Sequence, residues 1–217
     1  MSGIDSRRFI LDRISVALDA KSEEARLKQQ LQEWRSLPRS YRQTGTLSEA
    51  DRLALFDERI RHYNATTYYC GGDVQSDIAR ILSERGKRIL VVPAAFPSHW
   101  LPGNFMFISD EGLSNEQLNS CDGVVTCCML GIALTGTLVL ESSAEQGRRA
   151  ATLIPDYHLC LLDREDIVEF VPEAMRKLER VKSRPLTFIS GPSATVDIEM
   201  TRVRGVHGPH TLDVLIL

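Results

Sequence analysis

Several features that place a chain in a special class are missing from these 217 residues. There is no run of about eighteen apolar residues, as an ordinary membrane-spanning helix requires, and residues 1–8 lack the apolar core of a secretory signal peptide. The chain has 26 Lys and Arg against 29 Asp and Glu, and its net charge of −3 offers no basic excess for nucleic acid. We therefore expect a cytoplasmic globular protein with no nucleic-acid partner and no membrane span.

Cysteine is scarce, and its spacing does not suit a metal centre. The five cysteines include no C-x-x-C pair, so the four-cysteine patterns of zinc sites and iron–sulphur clusters are absent. The five histidines have no spacing that would suggest a metal triad. Free cysteine is among the most buried residue types, so we expect thiols in the core of a protein from a reducing compartment. The sequence predicts neither a bound metal nor a cofactor.

The first third of the chain has the pattern of helices. Apolar residues recur every three or four positions over residues 6–36, which is typical of one face of a helix. Residues 38–43 interrupt the pattern, and Thr46 and Glu49 have the spacing of a capping box at the start of another helix. We assign residues 1–64 to an N-terminal helical extension, which carries no recognisable chemistry.

Beyond residue 65, apolar runs of strand length alternate with helical patterns. Unbroken runs such as Ile89–Val92 are typical of strands buried on both faces of a parallel sheet. Strands are predicted at residues 66–70, 89–92, 105–108, 124–128, 138–140, 157–162, 186–189 and 212–217, and helices at residues 74–82, 113–118 and 167–178. The alternation predicts an α/β domain over residues 65–217, with a mostly parallel sheet between helices. Between residues 130 and 156 one connecting turn is too short for a helix, and a local hairpin or a bent strand is expected there.

The C-terminal segment places a Ser-Gly-Pro-Ser turn, residues 190–193, directly after a predicted strand. A short helix is predicted over residues 194–200, and Ser193 would cap it. The free N–H groups and the dipole at such a helix start attract anions, and glycine lets the backbone approach a ligand closely. Plain turn and capping roles stay open as the alternative. The residues of this turn that we assign to a site for a small anionic ligand are Ser190, Gly191 and Ser193.

Residues with proton-transfer chemistry follow in the same segment. Asp197 and Glu199 lie two positions apart, so on a helix they point in different directions and cannot form one paired site. Asp197 is the preferred candidate for a base, and Glu199 for a ligand contact. His207 and Gly208 belong to a second turn, where a histidine can exchange a proton near neutral pH. His207 and Asp197 are therefore the catalytic candidates, with ion pairing and turn stabilisation as alternative roles.

A second glycine turn, Thr135-Gly136-Thr137, separates two other apolar runs and presents two hydroxyls and a backbone N–H to an anion. Glu141 ends the following run and is a further ligand candidate. An arginine can hold a carboxylate or phosphate through two hydrogen bonds, and Arg148 is preferred to its neighbour Arg149. The alternative for either arginine is a solvated surface side chain.

Five short motifs, at residues 135–137, 147–149, 190–193, 197–199 and 205–209, follow one another as in a known family. In these motifs the chain resembles the lactate-utilisation protein C family, also called the LUD domain. The resemblance implies the three-layer α/β/α fold of sugar-phosphate isomerases and CoA transferases. It also implies a role beside iron–sulphur partner proteins that together oxidise L-lactate to pyruvate. One position departs from the family pattern, in which a glutamate precedes the Thr-Gly-Thr turn, because this chain has Leu134 there.

Two other functions stay open from the sequence. One is a self-sufficient isomerase or transferase acting on a phosphorylated or CoA-linked substrate, which rests on analogy of fold alone. The other is a non-catalytic assembly module whose N-terminal helices bind a partner. No redox centre is visible in the residues, so the sequence leaves open whether the chain is itself an enzyme.

Overall fold

The computed structural model describes residues 6–18, 20–38, 40–181, 183–196, 202–204 and 208–217. The chain divides into two compact units, residues 1–41 and 42–217. The helices are α1 Ser6–Leu18, α2 Ala20–Ser36, α3 Glu49–His62, α4 Val74–Glu84, α5 Asn115–Asn119 and α6 Val171–Leu178. The strands are β1 Thr66–Tyr69, β2 Ile89–Val92, β3 Met106–Ser109, β4 Gly123–Cys127, β5 Leu130–Ile132, β6 Thr137–Glu141, β7 Tyr157–Leu162, β8 Ile167–Val168, β9 Leu186–Ile189, β10 Ala194–Val196, β11 Arg202–Arg204 and β12 Thr211–Ile216.

The first unit contains α1 and α2, which contact each other. Their presence confirms the prediction of helices over residues 6–36. Many of their apolar side chains remain accessible, since Phe9 is 54%, Leu27 57% and Trp34 59% exposed. Two short helices can bury only one strip of each other, which leaves the rest of their apolar surface uncovered.

The second unit is built on a six-stranded sheet in the order β1-β12-β7-β4-β2-β3. Every neighbouring pair in it is parallel. The central strands β7 and β12 are buried almost from end to end, as their unbroken apolar runs predict. The predicted α/β fold with a parallel sheet is confirmed.

Both faces of this sheet are covered. On one face Ile78 of α4 packs with Leu159 of β7. On the other face Phe56 and Ile60 of α3 pack with Val214 of β12. The sequence-based division places α3 in the N-terminal extension, yet its apolar face belongs to the core of the second unit.

The helix α3 begins after Ser48, whose side chain accepts a hydrogen bond from the N–H of Asp51 at 3.2 Å. The predicted helix is therefore confirmed, but its predicted capping box at Thr46 and Glu49 is wrong. The N–H groups of Thr46 and Leu47 instead donate to the carboxylate of Glu169, at 2.6 and 2.8 Å. That buried carboxylate holds the chain extended up to Ser48 and so delays the start of the helix.

A second sheet, in the order β8-β5-β6-β9, completes the layer that contains α3. Strands β5 and β6 form the predicted antiparallel hairpin, and β6 also pairs antiparallel with β9. Leu138 and Leu140 of β6 pack with α3 in the core. The prediction that a helix starts at Ile167 is wrong, because Ile167–Val168 pair with β5 as β8. The helix α6 starts at Val171 with Pro172 in its first turn, a position that proline favours.

Candidate functional site

Strand pairing brings the two predicted glycine turns together. Leu138 of β6 pairs with Ile189 of β9, so the next residues along the ladder are Thr137 and Ser190. The side-chain oxygens of Thr137 and Ser190 lie 2.8 Å apart, and those of Thr135 and Thr137 lie 2.7 Å apart. Three hydroxyls therefore form a hydrogen-bonded chain between turns that are more than fifty residues apart in sequence.

Both turns also rest on the C-terminal end of α3. Gly136 has a φ of +57°, and a Cβ at this position would lie 2.6 Å from the backbone nitrogen of Ile60. Gly191 has a φ of +100°, and its Cβ would lie 2.9 Å from the carbonyl oxygen of Tyr63. Each position needs glycine for its backbone conformation and for the close approach of a neighbouring chain segment. The glycines thus fix the place of Ser190.

The predicted short helix after Ser193 is wrong. Residues Ala194–Val196 form β10, which pairs antiparallel with β11. Thr195, Val196 and Val203 in these strands are β-branched, and such side chains favour extended backbone over helix. The N–H of Ser193 donates to the carbonyl of Pro209 at 2.9 Å. Ser193 is therefore not a helix cap, and the argument for an anion site at a helix start no longer applies.

Three predicted residues lie outside the part of the chain that the structure describes. Asp197 and Glu199 fall within residues 197–201, and His207 falls within residues 205–207. Their proposed catalytic and ligand-binding roles stay predictions. Gly208 is the first described residue after them.

A cavity of about 320 Å³ opens beside the Ser-Gly-Pro-Ser turn. Four of the predicted ligand residues line it, namely Ser190, Gly191, Ser193 and Gly208. Its other lining residues include the charged Arg149, the buried His158 and the apolar Leu153, Phe188 and Leu212. A few polar groups set among apolar walls are typical of sites for small ligands.

The position of this cavity differs from the usual one in α/β proteins. Ligands of open parallel sheets bind outside the carboxyl ends of the strands. Here His158 and Leu212 are each the second residue of their strands, β7 and β12, so the cavity lies towards the amino ends of the main sheet. Ser190 directly follows β9. The strand whose carboxyl end borders the cavity is therefore β9 of the second sheet, and not a strand of the main sheet.

The two neighbouring arginines have different surroundings. The guanidinium of Arg148 donates to the carbonyl oxygens of Asp110, at 2.6 Å, and Leu113, at 3.0 Å. The backbone N–H of Arg148 also donates to the carboxylate of Asp110 at 2.8 Å. Arg149, the less favoured of the two from the sequence, has no such partner among the described residues and borders the cavity. Of the two arginines, Arg149 is the one that lines the cavity.

The sequence does not point to a functional role for His158, because this residue lies within an apolar run that predicts a buried strand. It is only 1% exposed, and its Nε2 is hydrogen-bonded to the hydroxyl of Thr126 at 2.8 Å. Thr126 is itself fully buried on the neighbouring strand β4. A histidine and a threonine on the same face of two neighbouring, otherwise apolar strands are the signal that could have pointed to this residue. The pair puts an oriented imidazole at the inner wall of the cavity.

The remaining predicted residues do not line the cavity. The Thr-Gly-Thr turn is connected to the cavity through the hydrogen bond between Thr137 and Ser190. Glu141 is 6% exposed, and one of its carboxylate oxygens accepts a hydrogen bond from Arg184 at 2.9 Å. It follows Val139 by two positions and so shares the side of β6 that faces away from the main sheet.

The described residues form neither a metal centre nor a membrane-spanning helix. The part of the chain that the structure describes holds no group of three or more His, Cys, Asp and Glu side chains arranged for a metal ion. None of the described helices combines the length and hydropathy of a membrane span.

Comparison with known proteins decides the family. The LUD domain profile matches residues 109–217. Lactate utilization protein C of Deinococcus radiodurans is 41% identical over 175 residues, which cover 79% of this chain and 82% of that protein. The chain belongs to the LUD domain family. Lactate utilization protein C of an Exiguobacterium species is 28% identical over 220 residues, covering 95% and 93% of the two chains.

A solved structure agrees with this assignment. The crystal structure of a DUF162 family protein from Deinococcus radiodurans has a TM-score of 0.68 and 34% identity to this chain. The likeness covers 79% of this chain and 99% of that one. The matched LUD domain contains every described residue that lines the cavity, from Arg149 to Leu212. Helix α3, which contacts both glycine turns, lies outside the residues matched by the LUD domain.

Proposed function

We propose that this chain is a lactate-utilisation protein of the cytoplasm. It takes part in the oxidation of L-lactate to pyruvate together with iron–sulphur partner proteins, and it binds a small carboxylate in the cavity beside Ser190. The names of two relatives, both Lactate utilization protein C, support a role in lactate utilisation. The single observation that carries the site is the cavity with Arg149 and the buried His158 among its lining residues.

The chemistry of the lining residues suits a 2-hydroxy or 2-oxo acid. The guanidinium of Arg149 offers a planar pair of donors that matches a carboxylate. Nε2 of His158 is paired with Thr126, so the ring has its other nitrogen, Nδ1, to exchange a hydrogen bond with an oxygen on the second carbon. Ser190 is oriented by Thr137 and offers a further hydroxyl. In this proposal the two electrons of lactate oxidation pass to the partner proteins, since the sequence lacks a cluster-binding pattern.

The test is the melting temperature of the purified chain with L-lactate, pyruvate, D-lactate and acetate. A ligand at a hundredfold excess over its dissociation constant stabilises the folded state by about 2.7 kcal/mol, which corresponds to a rise of about 5–10 °C for a chain of this size. We expect such a rise with L-lactate or pyruvate. Arg149→Gln removes a charged hydrogen bond and should weaken binding by about 10–100-fold.

Arg148→Gln is the matched control, because it changes the adjacent arginine outside the cavity. It should lower the melting temperature of the free protein but keep the rise that the ligand produces. An equal rise in the melting temperatures of Arg149→Gln and of the unchanged protein would exclude this cavity as the binding site. No rise with any of the acids would count against the carboxylate itself.

The exposed apolar side chains of α1 and α2 favour a second candidate, an assembly role for the first unit. Ile10 and Ile14 of α1 and Leu31 of α2 are each about half exposed, at 55%, 47% and 46%. In this proposal they bind a partner protein of the same system. Deletion of residues 1–41 should then abolish co-purification with the partners but leave ligand binding intact. Co-purification that survives the deletion would rule this role out.

A further inference from the structure

The cavity beside Ser190 is larger than lactate requires. Its volume of about 320 Å³ equals that of about ten water molecules, at the ~30 Å³ that each takes in the liquid. Lactate, on the same scale, displaces about three or four of them. Cavities of about 300 Å³ and more are those that enclose drug-sized ligands. When lactate binds here as proposed above, more than half of the cavity is therefore left for other atoms.

One helical turn supplies both a charged and an apolar part of the lining. A short 3₁₀ helix, Arg149–Thr152, is followed by Leu153, whose N–H donates to the carbonyl of Ala150 at 3.2 Å. Arg149, Thr152 and Leu153 all line the cavity. Residues three or four apart lie on the same side of a helical turn, with their Cβ atoms about 5–6 Å apart. The same side of this turn therefore presents a guanidinium and, one turn later, an isobutyl group.

The side chain of Leu153 borders the cavity with apolar surface to spare. A Cβ at Gly208 would lie 3.8 Å from Cδ2 of Leu153 and 3.2 Å from Cβ of Ser193, and all three residues line the cavity. Leu153 is nevertheless 36% exposed, whereas Leu212, the apolar lining residue on β12, is only 2% exposed. A ligand in the cavity can therefore still cover part of Leu153.

Covering that surface is favourable for an apolar group of the ligand. Each methylene group removed from water tightens binding about fourfold. The methyl group of lactate is a single such group, so lactate gains little from Leu153 and Ile189, the other apolar lining residue beside the turn. An acid with a longer carbon chain gains more.

We infer that this cavity takes 2-hydroxy or 2-oxo acids with an apolar chain longer than that of lactate, and that Leu153 sets the preferred chain length. The inference rests on the function proposed above, since Arg149 holds the carboxylate in both. The oxygen on the second carbon lies at Nδ1 of His158, and the remaining carbons lie against Leu153 and Ile189. Lactate is then the shortest member of the class and leaves the apolar part of the cavity to water.

Isothermal titration with L-2-hydroxy acids of increasing chain length tests this assignment. The series is L-lactate followed by the L-2-hydroxy forms of butanoate, pentanoate and hexanoate. Each added methylene group should tighten binding by about three- to fourfold, so that the hexanoate binds at least about tenfold more tightly than lactate.

Two variants of Leu153 show whether this residue causes the preference. Leu153→Ala removes most of the apolar contact and should reduce the gain from lactate to the hexanoate to less than about threefold. Leu153→Trp fills the same space and should reverse the order, so that the hexanoate binds more weakly than lactate. Met175→Ala shortens a half-exposed apolar side chain of α6 outside the cavity, and this matched control should keep the full gain. The melting temperature of each free variant confirms that it is folded.

The outcomes separate this inference from the function on which it rests. Lactate binding that depends on Arg149, without any gain in affinity along the series, would overturn the inference and leave the proposed function in place. A gain that both Leu153→Ala and Leu153→Trp retain would also overturn it, because another part of the protein would then select the chain length. If none of the acids binds, the inference and the proposed function both fail.

Discussion

Arg148 and Arg149 carry the same side chain, yet their surroundings in the structure differ. Arg148 is hydrogen-bonded to the loop that follows β3 through Asp110 and Leu113, and Arg149 is among the residues that line the cavity. The Asp110 carboxylate is almost fully buried, so it depends on the N–H and guanidinium groups of Arg148. On the function proposed above, ligand binding and stability are divided between these adjacent residues.

The first prediction concerns Arg148. Replacing it with Gln should lower the free energy of unfolding by about 1–2 kcal/mol, since two hydrogen bonds from a half-exposed guanidinium are lost. The midpoint of urea unfolding measures this loss. Arg149→Gln should leave the same midpoint almost unchanged. A reversed pattern, with Arg149→Gln the destabilised variant, would contradict the assignment.

The second prediction concerns Cys127. Burial raises the pKa of its thiol to about 12, with smaller contributions from the charges of Cys160 and Glu145. The thiolate is the reactive form, so alkylation of Cys127 by iodoacetamide at pH 8 should be about a thousandfold slower in the native protein than in urea. Peptide mapping by mass spectrometry measures both rates. Equal rates would show that this thiol is open to solvent.

The same shift makes stability depend on pH. The folded pKa lies above the unfolded value, so the contribution of Cys127 is present below pH ~8.5 and is lost as the pH rises towards about 12. The slope attributable to one such group approaches about 1.4 kcal/mol per pH unit. Cys127→Ser should flatten the fall in unfolding free energy over that range.

At the scale of elements, the secondary structure of short segments is set by the strands with which they pair. The residues after Ser193 were expected to form a helix, but they form β10 against β11. Ile167 was expected in a helix, but it extends the second sheet. In both cases the segment is two or three residues of strand, too short for periodicity to distinguish from a helix. The long unbroken runs of β7 and β12 have no such ambiguity.

The third prediction tests how the glycine turn is seated on α3. Gly136→Ala should lower the free energy of unfolding by about 2–4 kcal/mol, because a left-handed conformation and overpacking both penalise the new methyl group. Thermal and urea unfolding provide the measurement. Gly103→Ala is the matched control, since a Cβ at Gly103 meets nothing within 4 Å. Equal stability of the two variants would mean that α3 does not hold the turn.

At the scale of the whole molecule, the described core belongs to the second unit. All buried apolar residues of the four core clusters lie between Phe56 and Ile216. The cavity beside Ser190 is also lined only from that range. The fold and the site of this LUD domain protein are therefore expected to be independent of residues 1–41.

The fourth prediction follows from this division. A chain of residues 42–217 should unfold in one cooperative transition, with an unfolding free energy within about 1 kcal/mol of the full chain, a small loss by the standard of core mutations. Differential scanning calorimetry measures it. A chain that begins at residue 65 is the contrasting variant, because it lacks α3 with Phe56 and Ile60 and should not fold. If the 42–217 chain did not unfold cooperatively, the first unit would be needed for stability.

Much of the fold follows from local sequence patterns and could be predicted from them. Unbroken apolar runs such as Tyr157–Leu162 and Ile89–Val92 specify strands that must be buried on both faces, and helical spacing specified α4 and the helices of residues 6–36. The two glycine turns were also recognisable, because positive φ and close packing leave glycine as the residue of choice. Composition and periodicity report burial and backbone conformation one segment at a time.

The site depended on contacts between segments that are distant in sequence, and these only the tertiary structure decided. Pairing of β6 with β9 joined Thr137 to Ser190, and acceptors on the loop after β3 engaged Arg148 and left Arg149 to the cavity. His158 became a site residue because Thr126 on the next strand holds its ring. The sequence by itself determined the α/β class and the turns. Which side chains meet in the cavity was decided by strand register and loop packing, because a polar side chain takes whichever partner the fold brings within hydrogen-bonding distance.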